Sequence, residues 1–228
     1  MAKNPSRSQT ANRILSRLSP EDFGLLEPHL EAVDLPVRTR LEERKRKIDQ
    51  VYFMESGFAS VVANGHDTSI EVGIIGREGM TGLPILLGHD RAQHETFIQL
   101  AGKGLRIAAA DLQRAQDASM TLHRAMLSYV YAFLQQTTTT ALANGRSTIE
   151  QRLARWLLMA HDRADGDDLR LTHEFLGMML ATHRPGVTIA VQALERAGFI
   201  SARRSNITIL KRKTLEKYSD GAYVRPEG

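Results

Sequence analysis

Residues 172–200 read THEFLGMMLATHRPGVTIAVQALERAGFI, and their spacing decides the fold. Thr172 is placed to cap a short helix whose Phe175, Leu176 and Met179 face inward. Leu180 to His183 reads as a tight turn. A second helix follows, with Val187, Ile189, Ala190, Val191 and Leu194 supplying apolar contacts and Gly198 ending it. Two short helices joined by such a turn make a helix-turn-helix, whose second helix fits a major groove about 12 Å wide. Beyond Gly198, Phe199–Ala202 and Ile207–Leu210 alternate as strands around Arg203-Arg204-Ser205-Asn206. That predicts a hairpin, or wing, with two arginines at its tip. A generic helical pair accounts for the helices but not for the wing or the placement of charge.

Charge supports the same reading. The chain has 228 residues and a net charge of +4. Residues 1–145 carry 16 Lys+Arg against 16 Asp+Glu, whereas residues 146–228 carry 14 against 10, so the whole excess lies at the C-terminal end. Between 184 and 213 seven cations face one anion, Glu195. Such a run is either a solvated basic surface or the footprint of a polyanion.

Upstream the texture changes twice. Residues 14–34 have the apolar spacing of short helices, with Ser19-Pro20-Glu21-Asp22 as a helix start. From about Val33 to Ile107, short runs rich in Val, Ile, Phe and Thr read as strands, notably 51–54, 57–62 and 68–75. Asn64-Gly65 marks a hairpin turn, because both residues accept a positive φ. A small antiparallel sandwich or barrel is expected. Asp111 to Asn144 then runs without proline or glycine. Leu122, Met126, Tyr129, Phe133, Gln136, Thr140 and Ala143 recur there at spacings of four and three. This heptad stripe is either a dimer seam, through Leu122, Met126, Tyr129 and Phe133, or the face of a helix lying on its own domain. Ser147 with Glu150 reads as a capping box opening the next helix, so a domain boundary is expected near residue 145.

Taken together the chain resembles the Crp/Fnr transcription regulators. The stretches that carry the resemblance are Glu55-Ser56-Gly57, Glu71 to Gly82, Glu150 to Arg163 and Leu171 to Ile200. The resemblance implies an α+β protein in three parts. These are a sensor β-roll with N-terminal helices (1–110), a dimerisation helix (111–145) and a winged helix-turn-helix (146–228). It implies double-stranded DNA, a second copy of the chain and RNA polymerase as partners, with a small-molecule effector that the residues do not identify. It places Thr172 at a capping and phosphate-contacting position and Arg184 at the position that reads a guanine. The DNA-contacting set is then Thr172, His173, Thr182, His183, Arg184, Val187, Thr188, Ile189 and Gln192, with Arg203 and Arg204 on the wing.

The departures from the family pattern are informative. Ala181 stands where the turn usually has glycine, and Pro185 replaces an acidic residue after the arginine. A further base-reading arginine falls on Ile189, so a thymine methyl met by Val187 or Ile189 is expected instead. In members that bind cyclic AMP, a Gly-Glu-Leu motif and a later Arg-Ser or Arg-Thr hold ribose and phosphate. Here Gly82-Leu83-Pro84 lacks the glutamate, and no arginine stands beside Thr96. Gly79, Gly82, Leu83 and Arg91 remain as effector-binding positions, and cyclic AMP is not expected to bind in the family's usual way.

Other chemistries find little support. With no cysteine, disulfides, thiolate zinc sites and cysteine-held iron–sulfur clusters are excluded. His66, His89 and His94 fall in or near loops without a ligand-pair spacing, so neither metal nor haem is expected. No paired carboxylates or Ser/His/Asp order point to catalysis, and no cofactor is implied. The N-terminus lacks an apolar leader and no stretch is long enough to span a bilayer, which predicts a cytoplasmic protein. Two other classes stay open at this point: a ligand-binding module acting on a partner protein, and an enzyme with an unrecognised site.

Overall fold

The computed structural model describes residues 6–65 and 69–225, with the side chains of His173 and Glu174 left aside. His66 and Thr68 therefore lie outside the described residues. The chain divides into two compact units, 1–61 with 75–135, and 62–74 with 136–227.

The first unit opens with helix α1 (Arg13–Arg17), capped by the Asn12 side chain, which accepts from the Ile14 and Leu15 amides. Helix α2 (Pro20–Leu26) starts as its sequence demands, with Ser19 as cap, proline first, and Glu21 and Asp22 in the first turn. Strands β1 (Glu31–Leu35), β2 (Arg40–Glu42), β3 (Gln50–Met54) and β4 (Phe58–Asn64) follow, the last running on into the second unit, to which β5 (Ser69–Ile75) belongs up to its final residue. Helix α3 is a single turn, Leu83–Leu86, and β6 (Glu95–Leu100) and β7 (Gly102–Ala108) complete the roll. The sheets run β1-β7-β3 and β2-β6-β4-β5. Antiparallel register is set by Glu31 opposite Arg106, Gln50 opposite Ala108 and Glu42 opposite Thr96. The expected α+β class and β-roll are present. Only glycine fits at Gly57, just before β4: its φ is +66°, and a Cβ there would strike the backbone carbonyl of Leu100.

The long helix differs from expectation in two ways. It is broken into α4 (Ala109–Ala118) and α5 (Met120–Arg146) by Ser119, which is extended at φ −138°, ψ 115°. No proline or glycine signals this break. Asp22 makes it: its carboxylate accepts from Ser119 Oγ at 2.5 Å and from Thr121 Oγ1 at 2.8 Å. Ser119 Oγ in turn accepts the Leu122 amide, opening α5.

The second difference corrects the expected dimer seam. Leu122 and Met126 are fully buried and Tyr129 nearly so, within the same core as Phe53, Met80 and Leu105, and Phe133 packs against it. This stripe covers the core of the chain's own β-roll. The opposite face of α5 carries Leu127, Tyr131, Leu134 and Leu142, exposed at 36, 63, 57 and 59%.

In the second unit, α6 (Ile149–His161) is capped by Thr148 with Gln151 closing the capping box, one residue beyond the expected pair. Strand β8 (Asp168–Arg170), α7 (His173–Met179), α8 (Arg184–Arg196), β9 (Ile200–Arg203), β10 (Asn206–Ile209) and α9 (Arg212–Tyr218) follow. The three strands form a sheet in the order β8-β10-β9. Leu153, Leu157, Leu176, Val187, Leu194 and Leu215 fill the core beneath it. Trp156 of α6 donates its indole N–H to the buried carboxylate of Glu71 at 2.5 Å. Among the described residues no helix is long and apolar enough to cross a membrane.

Candidate nucleic-acid interface

Thr172 caps α7 as expected, its hydroxyl accepting the Phe175 amide at 3.2 Å, and is itself exposed. The turn to α8 passes through Ala181 at φ +49°, the left-handed conformation for which glycine is the usual choice. Pro185 occupies the first turn of α8, where a missing N–H leaves no bond unmade. The helix then sorts its residues by face. Val187, Ala190, Val191 and Leu194 are buried, whereas Arg184, Ile189 and Gln192 are exposed, with Thr188 between.

That sorting corrects one expected DNA-reading position. Val187 has no exposed surface and belongs to the core, so it is out of reach of a base. Ile189, 59% exposed, is the apolar side chain left on the outer face. Thr188 is half-buried and turns its hydroxyl to the Arg184 carbonyl at 3.1 Å. His183 is exposed at the N-cap of α8 and Thr182 half-buried behind it; the side chain of His173 lies outside the described residues.

The wing is a two-residue hairpin. Arg203 pairs with Asn206, leaving Arg204 at φ 35° and Ser205 at φ 63° in the turn. A turn with both central residues at positive φ matches the twist of the strands, but glycine or asparagine normally fills it. Two ordinary side chains are held here in a strained conformation, and Arg203 and Arg204 are both exposed. Between this tip and the start of α7 opens a cleft of about 540 Å³, lined by Asp168, Arg170, Leu171, Thr172, Arg204, Ser205 and Asn206. Asp168 accepts from Asn206 Nδ2 at 3.0 Å and Thr208 Oγ1 at 2.5 Å, bonds that hold its carboxyl below the usual value. Arg170 gives no signal in the sequence, where it is one arginine beside an acidic turn; the pairing of β8 with β10 brings it to the cleft.

At the sensor end the expected effector residues scatter. Gly79 is buried with both backbone groups engaged, its N–H to Gly76 and its carbonyl to Asn12, and its missing Cβ leaves room for Tyr129. Its role is close packing. Leu83 leans on the core from α3, and Arg91 reaches the Lys45 carbonyl at 3.1 Å on an exposed edge. Gly82 alone points a polar group inward. Its amide is met at 2.7 Å by Glu42, whose other oxygen takes the Thr96 hydroxyl at 2.5 Å. No group of three or more metal-ligating side chains exists among the described residues.

Residues 151–218 match the family described as the Crp-like helix-turn-helix domain. The match takes in α6 to α9 and the three-stranded sheet, so this part of the chain is similar to that domain. Around it, the chain shares the fold of the Crp/Fnr transcription regulators. A chain assigned to that family from Eubacterium rectale is similar at a TM-score of 0.73 and 15% identity, over 92% of this chain and 99% of that one. The c-di-GMP responsive global regulator CLP of Xanthomonas campestris is similar at 0.66 and 19%, over 84 and 99%. A CRP-family transcriptional regulator from Thermus thermophilus is similar at 0.69 and 17%, over 85 and 98%. No curated protein matches the sequence. Within the matched stretch, α8 is the second helix of the helix-turn-helix and β9–β10 the hairpin that follows it.

Proposed function

We propose that the chain is a sequence-specific DNA-binding transcription regulator of the Crp/Fnr type. It works as a homodimer in the cytoplasm, with RNA polymerase as its downstream partner, and answers a signal other than cyclic AMP. The observation that carries the reading is the outer face of the winged helix. Arg184, Ile189 and Gln192 stand exposed on α8, and Arg170, Arg203 and Arg204 are exposed at or beside the wing. Arg184 at the start of the helix suits the O6 and N7 acceptors of guanine, and Ile189 suits a thymine methyl. The wing arginines and Thr172 suit phosphates on either side of the cleft.

The dimer is placed on the exposed stripe of α5. Leu127, Tyr131 and Leu134 are separated by four and three residues, the repeat by which one helix packs along another, and Leu142 lies on the same side about two turns further on. A lone helix would gain nothing from so many exposed apolar side chains on one side. Two copies joined there would present recognition helices to half-sites about one helical turn apart. Cyclic AMP is set aside because Leu83 gives a ribose hydroxyl no partner, no arginine flanks Thr96, and the Gly82 amide is already engaged.

The test is titration of Arg184→Ala and Arg203→Ala on operator and scrambled duplex at several salt concentrations. Arg184→Ala should cost about 1–3 kcal/mol on the operator and relax preference at one base pair of each half-site. Arg203→Ala should weaken both duplexes alike and make the logarithmic salt slope shallower by about 0.9 for each phosphate it no longer neutralises. Equal weakening of both duplexes by Arg184→Ala, with base preference intact, would overturn the assignment of α8. A wild-type protein with no salt-dependent duplex binding would overturn the whole reading.

A further inference from the structure

The sensor roll holds a carboxylate where no ion pair explains it. Strand β2 pairs with β6 through a register shift between Arg40 and Glu42, so that Glu42 stands opposite Thr96. An irregularity of this kind re-aims a side chain, and here it lays the Glu42 carboxylate between the two chain segments where an effector was expected. One oxygen takes the Gly82 amide at 2.7 Å and the other the Thr96 hydroxyl at 2.5 Å. Thr96 is fully buried and Gly82 buried beside it. Gly82 itself has φ +79° and sits where a Cβ would strike Val51, so its amide is fixed in direction by packing. Among the described residues no cation pairs with Glu42, although Arg44, Lys45, Arg46 and Lys47 follow within five positions, all exposed.

We propose that Glu42 is a built-in ligand of the sensor pocket, its carboxylate filling a cradle for a small anion formed by the Gly82 amide and the Thr96 hydroxyl. An ordinary surface glutamate next to four basic residues gains most by turning out towards them. Glu42 instead turns in and loses water, a loss offset only by two directed donors, which is the arrangement of a bound carboxylate rather than of a salt bridge. An incoming anionic effector must therefore displace a tethered competitor, and the effective concentration of that competitor is high because it is on the same chain. The inference rests on the sensor-roll reading alone and needs nothing of DNA binding.

The experiment is chemical replacement in the full-length chain. Glu42→Ala removes the carboxylate and leaves the two donors facing a vacated space. Its melting temperature should rise with added acetate or formate, saturably, above that in chloride of equal ionic strength. Wild type should show no such excess, and Glu42→Ala with Thr96→Val should lose most of it. An identical response of Glu42→Ala to acetate and chloride overturns the proposal while leaving the DNA-binding reading untouched. Should Glu42→Ala not fold, Glu42→Asp withdraws the carboxylate by one methylene. Hydrogen exchange at the Gly82 amide should then speed up by about tenfold, the weight of one typical hydrogen bond, with its neighbours unchanged. Unaltered exchange there overturns the proposal equally.

Discussion

Val187 and Ile189 lie two residues apart on one helix and face opposite media, one fully buried and the other 59% exposed. Their substitutions should separate stability from recognition. Val187→Thr places a hydroxyl in the domain core and should destabilise by about 1–3 kcal/mol, read by urea unfolding. Ile189→Ala should stay within about 0.5 kcal/mol of wild type in the same assay, yet lose preference for thymine at one operator position. The wing tip offers the complementary case. Arg204 at φ 35° carries the strain of a non-glycine residue in a left-handed turn. Arg204→Gly should therefore raise stability by about 1 kcal/mol while weakening duplex binding. A variant that loses stability, or keeps full affinity, would show that the turn is neither strained nor in contact with DNA.

At the scale of elements, α5 presents two stripes that compete for one role. Leu122, Met126 and Tyr129 belong to the core of the β-roll, so charge placed there unfolds the roll whether or not it touches a dimer. The exposed stripe gives a cleaner test. Tyr131→Asp with Leu134→Asp should leave the far-ultraviolet dichroism and melting of the monomer nearly intact, yet give monomers in sedimentation and weak operator binding. A double variant that remains dimeric would place the seam elsewhere. Helix α6 supplies a second element-level link, through the 2.5 Å bond from Trp156 to Glu71. Trp156→Phe keeps most of the apolar volume but removes one hydrogen-bond donor to a buried carboxylate, and should cost about 1–3 kcal/mol in thermal or denaturant unfolding.

For the molecule as a whole, proton linkage distinguishes the β-roll from the winged helix-turn-helix. Burial raises the Glu42 carboxyl above its ordinary 4.5, while the bonds from Thr96 and Gly82 pull the other way without overcoming it. Between the ordinary value and the raised one, the folded chain binds this proton more tightly than the unfolded chain does. Stability from this group therefore falls as pH rises through that interval and stays lower above it. Glu42→Gln should flatten that part of the profile, measured by unfolding from about pH 4 to about pH 8. Asp168 on the wing sheet acts in the opposite sense, since its bonds to Thr208 and Asn206 hold it below the ordinary carboxyl value. Its stabilisation is present above that value and is lost as the solution becomes acid. On the proposed function, the charge excess of the C-terminal part acts in binding and should show itself as salt-dependent duplex affinity.

Local patterns were enough to establish the winged helix-turn-helix, the strand-rich roll before it and the excess of basic residues at the C-terminal end. Capping residues, periodicity and turn chemistry act over a few positions, and Thr172, Pro185, Gly198 and Arg203-Arg204 state their roles within their own neighbourhoods. What the tertiary structure decided depends on groups distant in sequence. The break at Ser119 comes from Asp22, ninety-seven positions earlier, and no residue near Ser119 announces it. Which of two apolar stripes on α5 is buried depends on what the roll packs against it, since helical spacing gives a period but not a side. Val187 was separated from Ile189 by the same kind of packing. Glu42 was illegible because its meaning lies in the Gly82 amide and the Thr96 hydroxyl, forty and fifty-four positions away, which only the folding of β2 against β6 and the start of α3 brings to its carboxylate.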